Sequence, residues 1–183
     1  MSGGIPTRLC TFPGLKLLGL GNNLNLTGNI PSCLFQLPVL QNLDLASIKL
    51  EGTIPADVGL LTQLEYLDVS GNSLIGTIPD QIGQCSNLAA INLSKNKLVG
   101  VIPSDIGQLQ FLKSLNISDN NLSGSLPTEL GNLQKIEMLS LRGNNLSGSL
   151  PNELCFAEKN WSSADIGCSI KCNCCVNVWI DPC

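Results

Sequence analysis

Apolar and polar positions follow two interleaved spacings along this chain. In "LEYLDVSGNSLIGTIPDQIGQCSN" (64–87), Leu67 and Val69 alternate with polar neighbours, and Leu74, Ile78 and Ile82 follow at wider intervals. The alternating part predicts a short strand with Leu67 and Val69 on its inward side. Proline and glycine in the second part rule out a long helix and predict tight turns. The next segments, "LAAINLSKNKLVGVIPSDIGQLQF" and "LKSLNISDNNLSGSLPTELGNLQK", repeat the design. An Ile-Pro or Leu-Pro dipeptide ends at Pro31, Pro55, Pro79, Pro103, Pro127 and Pro151, each step being 24 residues.

The shared pattern is LxxLxLxxNxLxGxIPxxIGxLxx. One such unit buries too little apolar surface to hold itself, so neighbouring units must stack and close each other's faces. The expected result is a parallel-stacked solenoid. These residues resemble the plant-type leucine-rich repeat family, whose 24-residue consensus contains the same LxxLxLxxNxLxGxIP core. The resemblance implies an α/β repeat solenoid: a superhelix with a parallel β-sheet on its concave face, a second short strand around LxGxIP, and 3₁₀ segments on the convex face. It also implies recognition rather than catalysis. The expected organisation is a partial N-terminal repeat (1–14), six repeats of about 24 residues (15–155), and a disulfide-rich C-terminal cap (156–183).

An asparagine column runs through Asn72, Asn96, Asn120 and Asn144. Its carboxamides are expected inside the bend, on backbone groups that the turn leaves unpaired. Two early coils break the column. In "LGLGNNLNLTGNIP" one extra residue leaves Asn22 or Asn23 to serve, and in "LDLASIKLEGTIP" Ile48 takes the place, which predicts a local shift or a water there. "GGIPTRLCTFPGLKLLGL" aligns with "GNIPSCLFQLPVLQNLDL", so the chain opens halfway through a repeat; a fragment or processed form is expected.

Composition narrows the function. With 183 residues and 43% apolar content the chain has material for a continuous core. Charged residues are only 13%, the net charge is −4, and the ten Lys and Arg are scattered, so no basic face for nucleic acid or anionic lipid is expected. Histidine is absent, which removes the commonest general base and the commonest metal ligand. The expectation is a protein that is not an enzyme and needs no cofactor. No run of 18 apolar residues occurs, so the chain itself is not expected to insert in a membrane, and "MSGGIPTRLC" is no export signal.

Nine cysteines sort by position. Cys85 falls on the inward convex side and is expected to be a buried free thiol. Cys10 and Cys33 stand in consecutive convex segments, close enough to bridge. Cys155, Cys168, Cys172, Cys174, Cys175 and Cys183 remain, an even set. Their CxxxCxCC spacing is not that of paired CxxC knuckles, so no metal is expected and three disulfides are, with fifteen connectivities open. Adjacent Cys174 and Cys175 should bridge to different partners, and Val176, Val178, Trp179 and Ile180 should form an apolar lid. The tail also resembles those of secreted leucine-rich repeat proteins of diatoms and related algae. Sequons at Asn25, Asn92, Asn116, Asn121, Asn145 and Asn160 join the cysteines in predicting an extracellular or cell-surface glycoprotein, with its export signal outside this sequence.

Candidate binding residues come from the outward positions of the concave strands: Asp44, Tyr66, Asp68, Asn92, Lys95, Asn116, Asp119, Met138 and Arg142. A protein or peptide partner of basic or polar character is expected, with Tyr66, Asp44 and Asp68 as the best patch. The alternative is a structural or ice-binding surface protein, using the flat row Asn29, Thr53, Thr77, Val101, Ser125 and Ser149 at the strand spacing. That row holds only two Thr and lies beside Glu51.

Overall fold

The computed structural model describes residues 3–155, 163–167 and 170–171. In chain order its strands are β1 (Leu17–Gly19), β2 (Asn42–Asp44), β3 (Tyr66–Asp68), β4 (Ala90–Asn92), β5 (Val99–Gly100), β6 (Ser114–Asn116), β7 (Asn121–Ser125), β8 (Met138–Ser140), β9 (Asn145–Ser147) and β10 (Ser163–Asp165). Seven of them form one parallel sheet in the order β1-β2-β3-β4-β6-β8-β10, the concave side of the solenoid, and β5-β7-β9 form a second sheet on the flank. Isolated bridges, Gly28 with Leu50 and Thr53 with Ile75 among them, continue the flank pairing to earlier coils.

The convex side is a series of short 3₁₀ helices, and the sequence explains why they are short. Each of the first six follows a proline, Pro6, Pro31, Pro55, Pro79, Pro103 or Pro127, held extended at φ between −64° and −70°. The proline carbonyl accepts the N–H three residues on, as from Ile82 to Pro79 at 3.0 Å, and the turn ends after five residues. Glycine inside these helices has a reason in packing: a Cβ on Gly107 would overlap the backbone of Glu129 in the next coil.

The two sheets climb at different rates. On the concave side Tyr66 lies beside Ala90 and Ala90 beside Ser114, a step of one repeat, whereas on the flank Val99 lies beside Asn121 and Ser123 beside Asn145, two residues short of a repeat. A slip of two residues leaves side-chain parity unchanged, so Leu122 still points inward and Asn121 outward. The core is one continuous column of stacked aliphatic side chains, from Leu18 through Leu43, Leu67, Ile91, Leu115 and Leu139 to Ala164, all buried.

The asparagine column lies inside the bend. Asn96 Nδ2 donates to the carbonyls of Leu93 (3.1 Å), Ser94 (3.2 Å) and Val69 in the preceding coil (3.0 Å), and its Oδ1 accepts the N–H of Leu74 at 3.0 Å. Asn72, Asn120 and Asn144 repeat the arrangement. In the first coil Asn23 takes the place, with its Nδ2 on Leu20 and Gly21 carbonyls, while Asn22 makes the left-handed bend at φ 63°. At Ile48, which is fully buried, the backbone shifts: Lys49 is left-handed at φ 55°, and the N–H groups of Ile48 and Leu50 converge on Asn72 Oδ1 at 3.1 and 2.9 Å. Asn72 thus takes the Ile48 N–H in addition to the Leu50 N–H and the Leu45 carbonyl, the two bonds that match those of Asn96 to its preceding coil.

Replacing Asn96 by Ala should strand one buried N–H and several carbonyls, costing about 2–4 kcal/mol. Asn23→Ala, at an exposed site with two bonds, should cost under about 1 kcal/mol. Urea unfolding of the two variants checks the difference, and equal losses would refute the buried carboxamide as the stabilising element.

Candidate recognition surface

The outward side chains of the concave sheet form a hydrogen-bonded row at its N-terminal half. Tyr66 Oη donates to Asp68 Oδ2 at 3.0 Å, and Asn92 Nδ2 donates to the same oxygen at 3.0 Å. Asp68 Oδ1 accepts the N–H of Ser70 at 2.8 Å, which leaves Asp68 buried within the row. Asp44 Oδ1 likewise accepts the N–H of Ala46 at 3.0 Å. Asn92 Oδ1 accepts both the N–H and the hydroxyl of Ser94 (3.2 and 2.7 Å), and Asn116 Oδ1 does the same for Ser118 (3.1 and 2.8 Å). A short polar side chain that takes the N–H two residues on is a local turn device. Asp44, Asp68, Asn92 and Asn116 therefore fix the ends of their own strands.

Lys95 and Asp119 stand just before the internal asparagines, both left-handed at φ 55°. Lys95 is exposed there and Asp119 half-buried. Met138 is exposed, with its Sδ 3.5 Å from the Ser114 hydroxyl, and Arg142 Nε pairs with Asp165 Oδ2 at 3.1 Å. The structure thus brings Tyr66, Asp68 and Asn92 together with Asp44 beside them. Met138, Arg142 and Asp119 form a separate group at the other end of the sheet. Asp165 lies in β10, beyond the last full repeat, and was not read from the sequence as part of this surface, whereas Ser94 and Ser118 stand in a column that was. The weak signal for β10 is the alternation of Ala164 and Ile166 in "SSADIG".

Burial, the negative charge of Asp68, the hydrogen bond to it, and the charge of Asp44 together push the Tyr66 hydroxyl up to about 12. Cys85 is a free, fully buried thiol whose Sγ donates to Val58 carbonyl at 3.1 Å, and burial raises it to about 12 as well. Cys10 and Cys33 form a disulfide with Cα atoms 5.7 Å apart, tying the opening half-coil to the first full one. The side chain of Cys155, together with Cys168, Cys172, Cys174, Cys175, Cys183 and Asn160, lies outside the described residues, as do Val176, Val178, Trp179 and Ile180. Among the described residues no three thiol or carboxylate groups converge as metal ligands would, and no helix is long and apolar enough to cross a membrane.

On the flank, the row after the repeat glycines packs onto the next coil. The Thr77 Cγ2 would lie 2.9 Å from a Cβ on Gly100, and Thr53 and Val101 stand in the same relation to Gly76 and Gly124. These glycines have φ between 78° and 84° and no side chain, so the methyls of Thr53, Thr77 and Val101 fill the space above them. Asn25, Asn121 and Asn145 are exposed on this side of the molecule.

A stack of similar coils, bonded through internal carboxamides and presenting an open sheet of varied side chains, is a repeat solenoid. Residues 62–122 and 86–146 match the leucine rich repeat family model. The chain belongs to the leucine-rich repeat family. No curated protein aligns significantly with it.

Among solved structures it is similar to plant receptor ectodomains. It is similar to the ectodomain of the Arabidopsis thaliana membrane receptor kinase GASSHO1/SCHENGEN3, solved in complex with Casparian strip integrity factor 2, at 35% identity and TM-score 0.86 over 93% of this chain and 20% of that one. The Arabidopsis receptor kinase HAESA ectodomain, in complex with an extended IDA peptide hormone, gives 32% identity and TM-score 0.83 over 94% of this chain and 28% of that one. A chain of the Arabidopsis BIR3–SERK2 complex gives 42% identity and TM-score 0.60 over 75% of this chain and 73% of that one. This chain therefore spans between a fifth and a third of the length of the two receptor-kinase ectodomains.

Tyr66 is the single tyrosine, so its ionisation can be followed directly by near-ultraviolet tyrosinate absorbance. The midpoint should lie near pH 12 in the folded protein and move down towards 10 in Asp68→Asn. Since the folded value is raised, the stability linked to Tyr66 is complete below pH 10 and lost between 10 and 12. An unshifted midpoint in Asp68→Asn would remove Asp68 as a cause.

Proposed function

We propose that this chain is an extracellular recognition segment that takes a protein or peptide partner along the concave sheet and works by binding, not catalysis. The observation that carries the reading is the match, over more than nine-tenths of its length, to receptor ectodomains, that of HAESA solved with a peptide hormone. The outward residues fit a polar, extended partner. Leu17, Tyr66 and Met138 supply apolar contact, Lys95 and Asp119 supply charges of both signs, and the bonded row of Asp44, Asp68, Asn92 and Asn116 supplies a rigid polar floor. Preorganisation of that kind lowers the ordering cost of association. Arg142 is held by Asp165 and can engage an acidic group only by sharing or exchanging that partner.

Peptides selected by display against the secreted protein provide the test. Tyr66→Ala and Met138→Ala should each weaken the selected peptides tenfold or more, as expected for truncating a central anchor. Leu60→Ser, on the exposed convex side, should leave binding unchanged. Peptides insensitive to both concave variants but lost in Leu60→Ser would place recognition on the other face.

A further inference from the structure

Four of the sequons fall into two structurally opposite sets. In Asn92-Leu93-Ser94 and Asn116-Ile117-Ser118 the carboxamide oxygen is closed by its own serine, and Asn92 Nδ2 is held by Asp68. In Asn121-Leu122-Ser123 and Asn145-Leu146-Ser147 the asparagines begin strands β7 and β9, are exposed, and make no side-chain hydrogen bond among the described residues. Next to them lies the flank's apolar patch: Ile75, Val99 and Val101 are 50, 45 and 57% exposed. Val99 is the direct cross-strand neighbour of Asn121. One step further along that register sets Val101 against Ser123, which pairs with Asn145.

We propose that Asn121 and Asn145 carry N-linked glycans whose first sugars lie over Val99 and Val101, while Asn92 and Asn116 stay bare. This rests on the extracellular reading. In the transfer, Nδ2 bonds to the anomeric carbon of an oligosaccharide carried on a polyprenyl diphosphate. The anomeric C–O bond breaks, the lipid diphosphate leaves with the electron pair, and one amide proton passes to the transferase's base. Side chains paired across parallel strands stand about 5 Å apart, so the N-acetylglucosamine on Asn121 meets the Val99 side chain directly. Glycans there cover apolar surface on the flank and leave the concave sheet open. A glycan on Asn92 would instead leave Nδ2 a single N–H for Asp68 and place a sugar in the bonded row.

The test is secretion of the full chain from eukaryotic cells behind a supplied export signal, followed by glycopeptide mass mapping. Occupancy should be high at Asn121 and Asn145 and absent at Asn92 and Asn116. The glycosylated protein should melt about 2–4 °C above Asn121→Gln, the size expected of roughly 1 kcal/mol in a domain of this length. That difference should fall below about 1 °C in a Val99→Ser background. Comparable occupancy at Asn92 or Asn116, empty Asn121 and Asn145, or a melting difference indifferent to Val99→Ser would each overturn the proposal. Glycan-free protein from its native source, with both flank sites filled in the secreted form, would sink the extracellular reading and leave the placement standing.

Discussion

Every coil has to bend sharply between its concave strand and its flank, and the bend turns backbone carbonyls and N–H groups into an interior with no water to satisfy them. One carboxamide in each coil, the Ile48 coil excepted, resolves this. Asn120 donates to Ile117 and Ser118 in its own coil and to Leu93, 27 residues back, while its oxygen takes the N–H of Leu98 in the coil before. The bonds run within a coil and between coils at once, so the bend of one repeat is completed by the next. A buried donor or acceptor without a partner costs on the order of 1–3 kcal/mol, and several meet at each bend. Neighbouring coils are therefore coupled by hydrogen bonding as well as by the aliphatic column, and the stack holds as a series of mutually dependent units.

That internal requirement shapes the outer face. The residue before each internal asparagine has to be left-handed, which glycine accepts at Gly71 and Gly143. Asn22, Ser47, Lys95 and Asp119 hold the same conformation with a Cβ, at a cost of about 1–2 kcal/mol for residues other than Asn. Three residues earlier than that bend, the Asp or Asn of the strand ties down the chain end. What remains without such a backbone role is a short set of outward positions, Leu17, Tyr66 and Met138 foremost. Position on this scaffold, more than residue type, separates a binding side chain from a structural one.

The repeat, its register on the concave side, the internal asparagines and the bridge of Cys10 to Cys33 were legible because each rests on a spacing that recurs. The two-residue slip on the flank was not, since it leaves the in-and-out alternation untouched and therefore no trace in the hydrophobic pattern. β10 was missed because Ala164 replaces the large strand residue and Ser163 lies 25 residues beyond its neighbour Met138 instead of 24. At Ile48 the break in the column was visible, but the repair by Asn72 and Lys49 depends on backbone angles that no residue pattern encodes. For the concave row, Asp68 looked like a surface acid because composition cannot show that Tyr66, Asn92 and the Ser70 N–H converge on it.

The string Asn-x-Ser makes the same point at the scale of three residues. In Asn92-Leu93-Ser94 and in Asn121-Leu122-Ser123 the central leucine is buried, so local hydrophobicity does not distinguish them. The distinction is what the backbone does next. After Asn92 the strand stops and the chain bends towards Lys95, which folds the serine hydroxyl back to 2.7 Å from the asparagine oxygen. After Asn121 the chain stays extended through Ser123, and at about 3.3 Å of rise per residue the two polar side chains stand roughly 6.6 Å apart on the outer face, too far to bond. An identical motif is thus a closed turn on one side of the coil and an open acceptor on the other, and the coil's own geometry decides which.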